Sequence, residues 1–218
     1  MADAGKAIAP PPMLHVSRVR WRSGNVLHRI HLEDYPGEVF NPGIRGNARF
    51  SAIKDAAGAL IPTLYTGDSF ECAAMETVFH DVPYVAGVKT YDKAKLTGQT
   101  YSQLQAAHDL FLADFSSKAL RKLGVRRDQL IDTEKDQYPM TRRWAEAIHA
   151  QEPDIQGLCW TSRQDDSAKA VVLFGDRIPA GVLTPVSTPL GVAADAACYG
   201  ALLALAEHIG VWIVPGRA

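Results

Sequence analysis

The chain has 218 residues, of which 47% are hydrophobic and 22% are charged, and its 23 basic and 24 acidic side chains give a formal net charge of −1. A chain of this length and composition is typical of a globular protein that buries enough surface to fold without disulfides or a metal. The balanced charge excludes a nucleic-acid-binding protein that works through a strongly basic face. We therefore expect one domain that acts on small molecules or proteins and makes no direct contact with nucleic acid.

The three cysteines, Cys72, Cys159 and Cys198, are far apart in the sequence, and no C-x-x-C pair is present. Their odd number and spacing exclude a secreted disulfide framework and a structural zinc site. We expect no bound metal.

The two ends of the chain carry the segments that bear on targeting. Residues 1–12 lack the long apolar core of a secretion signal, so we expect residues 1–20 to be a disordered or extended leader and the protein to be cytoplasmic. Residues 190–214 are rich in Ala, Leu, Ile and Val but include Asp195 and Glu207. This pattern predicts a buried helix followed by a strand, and no membrane span.

The first predicted elements are strands and a loop. VLHRIHL (Val26–Leu32) alternates apolar residues with histidines, which predicts a strand that carries Arg29. Glycines and prolines in residues 35–47 indicate a loop, after which an extended segment begins at Arg49. Residues 60–66 are predicted to form a short strand.

A helix over residues 69–81 is the best-defined local element. Asp68 and Glu71 have the spacing of a capping box, and apolar residues then recur at helical intervals. This helix places Glu76 in its second turn or later.

The remaining elements mix strands and helices. We predict a strand over residues 84–91, helices over 104–123 and 140–150, and two strands over 158–161 and 170–174 around a polar turn. Because the elements do not alternate regularly as βαβ units, the fold class is predicted as α+β.

No common phosphate-binding, hydrolase or metalloprotease motif is present in the sequence. His28 and His31 are close in sequence but point to opposite faces of a strand, so they are interpreted as structural. What remains is a set of polar residues at the edges of predicted elements, namely Arg29, Arg49, Tyr65, Glu76 and Ser162. Arginine binds phosphate through its planar guanidinium, and the other side chains suit the rings and hydroxyls of a dinucleotide.

Spacing alone leaves plain structural alternatives open for these residues. Glu76 could be a solvated helix residue, Arg29 could pair with Glu33 or Asp34, Tyr65 could belong to the core, and Ser162 could begin a turn.

Four stretches carry a resemblance to a known family. They are LHRI (27–30), GNARF (46–50), TLYTGDSFECAAMETVFHD (63–81) and LCWTSRQDDSAKAVVLFGDR (158–177). Over residues 26–177 the chain resembles the RES domain family, named for its arginine, glutamate and serine. The run around Arg49 departs from the two glycines, arginine, tryptophan and asparagine that the family often shows.

The resemblance implies a fold and a set of site residues. It implies a single domain over residues 21–218, like the ADP-ribosyltransferases, with a split mixed or antiparallel sheet and flanking helices. It implies NAD as the substrate, with Glu76 opposing positive charge on the ribose during cleavage of the nicotinamide–ribose bond. The residues implied to bind NAD are Arg29, Arg49, Phe50, Tyr65 and Ser162, and those implied in catalysis are Glu76, Arg29, Tyr65 and Ser162.

The resemblance also implies a biological setting. Such proteins are typically toxins of bacterial toxin–antitoxin pairs, so we expect a cognate antitoxin protein that covers the active site. The acceptor of the ADP-ribose is left open as water, phosphate or a protein. The alternatives are a mono-ADP-ribosyltransferase with a specific protein target and a non-catalytic binding module.

Overall fold

The computed structural model describes residues 6–43 and 47–216. The first five residues of the predicted leader and residues 44–46 of the predicted loop lie outside this description. The strands, in chain order, are β1 (Arg18–Trp21), β2 (Val26–Leu32), β3 (Ile53–Lys54), β4 (Leu60–Ile61), β5 (Thr63–Gly67), β6 (Lys89–Asp92), β7 (Gln99–Ala106), β8 (Leu110–Asp114), β9 (Gly157–Thr161), β10 (Lys169–Phe174), β11 (Leu183–Pro185), β12 (Leu190–Gly191) and β13 (Val211–Val214). The α-helices are α1 (Phe70–Thr77), α2 (Ser117–Leu123), α3 (Arg127–Leu130), α4 (Tyr138–Gln151) and α5 (Ala196–His208).

Nine strands form one mixed sheet, and the predicted α+β class is confirmed. Its order is β1-β8-β9-β10-β5-β2-β7-β11, and β12 also pairs with β7. The β8–β9 pair is parallel, and the other pairs of this sheet are antiparallel. β6 and β13 form a small parallel sheet, and β3 and β4 form an antiparallel one.

The large sheet is split between β2 and β5. β2 pairs with β7 along its whole length, from Val26 to Leu32, whereas its register with β5 has a single pair, His28 with Gly67. Beyond this pair the two strands separate, so residues 29–32 and 63–66 face a gap instead of each other. The gap is the central feature of the fold for function because it opens a cavity inside the sheet.

Helix α1 packs at this split. The Ser69 side chain caps it by accepting a hydrogen bond from the Cys72 amide (3.0 Å). The predicted cap at Asp68 is wrong by one residue, because the Asp68 amide already donates to the Lys169 carbonyl and continues the strand pairing. A side chain at Gly67 would place a Cβ 2.7 Å from the Cys72 Cβ, so glycine allows α1 to lie directly on β5.

Helix α1 is shorter than the predicted span of residues 69–81. It ends at Thr77, where the amides of Val78 and Phe79 both donate to the Ala74 carbonyl. Phe79 then turns into the core, where it is 1% exposed. Glu76 is therefore the second-last residue of the helix and lies close to the turn that follows.

The helix predicted over residues 104–123 is wrong. This stretch forms the hairpin of β7 and β8 and then helix α2. Leu104, Leu110 and Leu112 are fully buried in the sheet, and β7 exchanges its hydrogen bonds with β2. Pairing with a distant strand thus overrides a local pattern that resembles a helix.

Several other predictions are confirmed. Strand β2 has the predicted bounds, β9 and β10 match the predicted strand pair, and α4 covers the predicted helix over 140–150. The apolar C-terminal stretch forms α5 followed by β13 in the predicted order, but the prediction that the helix is buried is wrong, because only Cys198, Leu202 and Ala206 of its 13 residues are buried. Among the described helices, none has the length and apolar character needed to span a bilayer.

Other predicted strands are interrupted or shortened. Pro62 divides the predicted strand over 60–66 into β4 and β5 because proline has no amide to donate. The strand over 84–91 is confined to β6, and the extended segment from Arg49 is confined to β3.

The core lies on both faces of the large sheet. Trp144 of α4 is fully buried, and its indole nitrogen donates to the Ile8 carbonyl (2.6 Å). The Leu14 amide likewise donates to the Gln151 side chain (2.9 Å). The described part of the leader therefore lies extended against α4. All three cysteines are buried and unpaired.

Candidate active site

A cavity of about 1290 Å³ occupies the split in the sheet. Four of the residues predicted from the sequence line it, namely Arg29, Arg49, Tyr65 and Glu76. They come from β2, the loop before β3, β5 and α1. Residues up to 47 positions apart in sequence are thus brought around one space. The cavity exceeds the 300–1,000 Å³ or so of ordinary ligand pockets, which suits a ligand as large as a dinucleotide.

The Glu76 carboxylate is held by Ser162. The Ser162 hydroxyl donates to Oε1 of Glu76 at 2.6 Å, and it accepts hydrogen bonds from the amides of Gln164 (3.0 Å) and Asp165 (3.1 Å). A hydroxyl has one proton and two lone pairs. With both lone pairs occupied, its proton is directed to Glu76, which fixes the carboxylate as the acceptor.

Ser162 is fully buried and does not line the cavity. Its contribution to the site is therefore made through Glu76 and not through direct contact with a ligand in the cavity. The resemblance implies that Ser162 binds NAD, whereas the geometry favours a role in which it orients the glutamate.

The turn that begins at Ser162 is itself braced. Arg163 donates to the Thr133 carbonyl (2.7 Å) and to the Glu134 carboxylate, and Arg127 donates to the Ser162 carbonyl (3.1 Å). These contacts tie the turn between β9 and β10 to the connection that precedes α4, and so they limit the movement of the Ser162 hydroxyl.

Tyr65 presents its ring to the cavity and is fixed at its hydroxyl. The hydroxyl accepts a hydrogen bond from the Phe50 amide (2.9 Å), and the ring lies edge-on to Trp160 with a centroid distance of 6.3 Å. Burial raises the pKa of Tyr65, so the hydroxyl keeps its proton at neutral pH.

Arg29 joins strand β2 to the loop that follows it. Its Nη1 donates to the carbonyls of Gly37 and Val39, the latter at 2.8 Å. The predicted alternative, an ion pair with Glu33 or Asp34, does not occur in the described structure. Burial lowers the pKa of Arg29 to about 10, so the side chain remains a cation at neutral pH.

The loop approaches Arg29 closely because residue 37 is glycine. A Cβ at Gly37 would lie 2.6 Å from both Cβ and Oγ of Ser102, which is too short for a side chain. The glycine thus lets the loop carbonyls reach Arg29.

Arg49 is more deeply buried and less well satisfied. The residue is only 4% exposed, and its Nε has no hydrogen-bond partner among the described residues. Its guanidinium carbon lies 5.5 Å from the centroid of the Tyr138 ring. A buried cation that lacks a carboxylate partner in residues 6–43 and 47–216 favours an anionic ligand in the cavity.

Phe50 is placed differently from its predicted neighbours. The ring is fully buried, packs against Phe115 and Trp160, and does not line the cavity. Its contribution to the site is the amide that fixes Tyr65, because the phenyl ring belongs to the hydrophobic core.

The sequence interpretation missed a group at the mouth of the cavity. His80, Asp81 and Lys135 also line it, with His80 Nδ1 2.7 Å from Asp81 Oδ1 and Lys135 Nζ 2.8 Å from the same oxygen. The available signal was the i, i+4 spacing of Glu76 and His80 followed directly by an aspartate. In the described residues, no group of three or more His, Cys, Asp or Glu side chains could hold a metal ion.

Comparison with known proteins assigns the chain to a family. No curated protein matches the sequence. The RES domain, however, matches residues 26–195, which is more than three quarters of the 218 residues and includes every residue of the cavity wall discussed above. The match begins with β2, where the resemblance begins, and extends beyond residue 177 to the N-cap of α5. With a match of this extent and a glutamate held by a serine beside the half-buried Arg29 and the buried Arg49, the chain belongs to the RES domain family.

Proposed function

We propose that this protein is the toxin of a toxin–antitoxin pair and that it cleaves the bond between nicotinamide and ribose in NAD. RES domains are associated with toxin–antitoxin systems and with the use of NAD. The observation that carries the proposal is the Glu76 carboxylate, held at 2.6 Å by Ser162 in the wall of a cavity that the half-buried Arg29 and the buried Arg49 also line.

The two arginines would bind the pyrophosphate of NAD. Neither forms an ion pair with a described residue, and both line the same cavity. Because the Arg29 Nη1 is committed to loop carbonyls, this residue has fewer free donors than its charge suggests. Arg49, whose Nε is buried and unpartnered among the described residues, is the stronger candidate for the direct phosphate contact.

Tyr65 would lie against the nicotinamide or its ribose. Its ring is held from two sides, by the Phe50 amide at the hydroxyl and by Trp160 at the edge. A fixed aromatic face limits the orientations that a flat ligand ring can adopt.

Glu76 would act on the ribose. As the bond between C1′ of the ribose and the nicotinamide nitrogen breaks, its electron pair goes to the nicotinamide, which leaves neutral, and positive charge develops on the ribose. A carboxylate next to the ribose opposes this charge and accepts a hydrogen bond from a ribose hydroxyl. Loss of one such preorganised electrostatic contact typically lowers the rate by about 10²–10³-fold.

The test is nicotinamide release from NAD by the purified protein, with Glu76→Gln as the variant. Glu71→Gln is a matched control, because Glu71 is an exposed glutamate in the first turn of the same helix. We expect release by the wild type and by the control, and a loss of about 10²-fold or more in Glu76→Gln. Absence of release under all conditions, including with cell extract and with phosphate, would refute the proposal.

Labelled NAD added to cell extract separates hydrolysis or phosphorolysis from transfer to a protein. Free ADP-ribose or its phosphate would indicate the first pair of reactions, and a discrete labelled protein would indicate the second. Growth of cells that express the wild type or Glu76→Gln tests the toxin role, because only the active form should arrest growth in the absence of an antitoxin.

A further inference from the structure

A histidine–aspartate pair lies at the mouth of the cavity, next to the end of α1. His80 follows Glu76 by four residues and lines the same cavity. Its Nδ1 lies 2.7 Å from Asp81 Oδ1, and the imidazole side chain is 26% exposed. The ring is therefore partly enclosed and yet open to the cavity, which is the environment of a group that exchanges protons with a bound molecule.

The aspartate of this pair is kept ionised by its neighbours. Lys135 Nζ lies 2.8 Å from Asp81 Oδ1 and 3.0 Å from Oδ2. The hydrogen bonds from Lys135 and His80 lower the pKa of Asp81. An ionised carboxylate at Nδ1 selects the tautomer that carries its proton there, so the lone pair is on Nε2.

The backbone of His80 is anchored to the same turn that holds Glu76. Gln164 Nε2 donates to the His80 carbonyl (3.1 Å), and the Gln164 amide donates to the Ser162 hydroxyl (3.0 Å). Tyr84 adds a second anchor through its hydroxyl, which donates to Gln164 Oε1 (2.9 Å). The Glu76 carboxylate and the His80 backbone are thus held by one braced unit.

We propose that His80 is the general base of the reaction and that it takes a proton from the molecule that accepts the ADP-ribose. This inference rests on the proposed function. As the C1′–nitrogen bond breaks and its electron pair leaves with nicotinamide, the oxygen of a water molecule forms a new bond to C1′. The proton of that water passes to Nε2 of His80, and the products are ADP-ribose, nicotinamide and a proton that His80 later releases to solvent.

The proposed role of His80 as a general base indicates which class of molecule accepts the ADP-ribose. Water and other hydroxyl nucleophiles lose a proton as they attack, so a base accelerates them. A phosphate dianion is already a competent nucleophile and needs no base. The arrangement of His80 and Asp81 therefore favours hydrolysis over phosphorolysis.

The chain contains a matched control for this pair. His108 and Asp109 repeat the His-Asp sequence at the turn between β7 and β8. There the His108 Nδ1 contacts the Asp109 backbone oxygen at 3.1 Å, the residue is exposed, and it does not line the cavity. Substitution of His108 should leave the reaction unchanged.

The experiment compares nicotinamide release by the wild type, His80→Asn, Asp81→Asn and His108→Asn, with and without sodium azide. Azide is an anion that attacks C1′ without losing a proton. We expect His80→Asn to release nicotinamide about 10²-fold more slowly in water. Azide should restore much of that rate and yield the glycosyl azide of ADP-ribose, which mass spectrometry identifies. Asp81→Asn should show a smaller loss and the same rescue.

The outcomes separate this inference from the proposed function. If the wild type releases nicotinamide and His80→Asn keeps the wild-type rate, the inference is overturned and the proposed function stands. It is also overturned if folded His80→Asn is slow but azide does not restore the rate, since His80 would then only position the site. Should His80→Asn fail to fold, Asp81→Asn gives the same test, because its side chain is 72% exposed and contributes little to the core. If the wild type releases no nicotinamide, both proposals fall together.

Discussion

The Ser162 hydroxyl offers the most informative single perturbation of the site. In Ser162→Ala, Glu76 loses the hydrogen bond that fixes its carboxylate, and the amides of Gln164 and Asp165 lose their acceptor. The residue is fully buried, so a change to alanine removes these three contacts without exposing a new surface.

The expected magnitudes follow from those contacts. A hydrogen bond to a charged group contributes about 1.5–3 kcal/mol, and a loss of about 2 kcal/mol from the transition state lowers the rate roughly 30-fold. Because Gln164 and Asp165 are only half-buried, each amide left without a partner costs about 1–2 kcal/mol of unfolding free energy, or about 2–4 kcal/mol in total. In a domain of this size the melting temperature should fall by roughly 5–15 °C.

The assay measures kcat for nicotinamide release and the melting temperature of each variant. Ser187→Ala is the control, because Ser187 is exposed and lies outside the cavity wall. In the Glu76→Gln background, Ser162→Ala should produce no further loss of kcat, since Ser162 acts through the glutamate. A kcat within twofold of the wild type in folded Ser162→Ala, or a full additional loss in the double variant, would refute this reasoning.

Three further predictions concern charge and burial. Arg49→Met should weaken NAD binding at least tenfold, as measured by calorimetry, while the melting temperature stays level or rises. The reason is that the substitution removes a buried cation that has no ion-pair partner among the described residues. A lower melting temperature with unchanged affinity would contradict this prediction. Because Lys135 and His80 lower the pKa of Asp81, this carboxylate stabilises the fold at neutral pH, and the contribution is lost as the pH falls below the unfolded-state value of about 3.9. Asp81→Asn should therefore cost at most about 1 kcal/mol in urea unfolding at pH 7, since the side chain is exposed, and progressively less as the pH falls through the lowered folded-state pKa. The three cysteines are buried, and burial raises the pKa of Cys159 to about 12, so the native protein should resist iodoacetamide at pH 8 while the unfolded chain reacts three times, as mass spectrometry would show.

Local sequence patterns correctly predicted those elements whose tertiary contacts favour the same secondary structure as the local pattern. Strand β2 alternates apolar and polar residues, and β9 and β10 are short apolar runs on either side of a polar turn. The helix predicted over residues 104–123 failed because β7 pairs with β2, about 75 residues earlier, and such pairing leaves no local signal.

The candidate site also depends on long-range contacts that local sequence patterns do not reveal. The types of the site residues are visible in the sequence, but Glu76 and Ser162 are 86 positions apart, and only the fold brings them to 2.6 Å. In the sequence, LHRI around Arg29 carries the family resemblance, whereas the run around Arg49 departs from the family pattern. In the structure, loop carbonyls already engage Arg29, whereas the buried Nε of Arg49 has no partner in the described part of the chain, and for this reason we propose Arg49 as the more direct phosphate ligand.

The cavity itself depends on a missing interaction. β2 and β5 share one registered residue pair, and the gap beyond it opens the cavity. Strand patterns indicate where strands begin and end but not which pairs of strands separate. The split in the sheet could therefore be predicted only from the family resemblance.

Nicotinamide release by the wild type and by Glu76→Gln tests the central claim most directly. The purified proteins are incubated with NAD, and the nicotinamide released is quantified by chromatography. We predict steady release by the wild type and by Glu71→Gln, and a rate that is lower by about 10²-fold or more in Glu76→Gln. Equal release by the wild type and folded Glu76→Gln would contradict the account, as would the absence of release by the wild type.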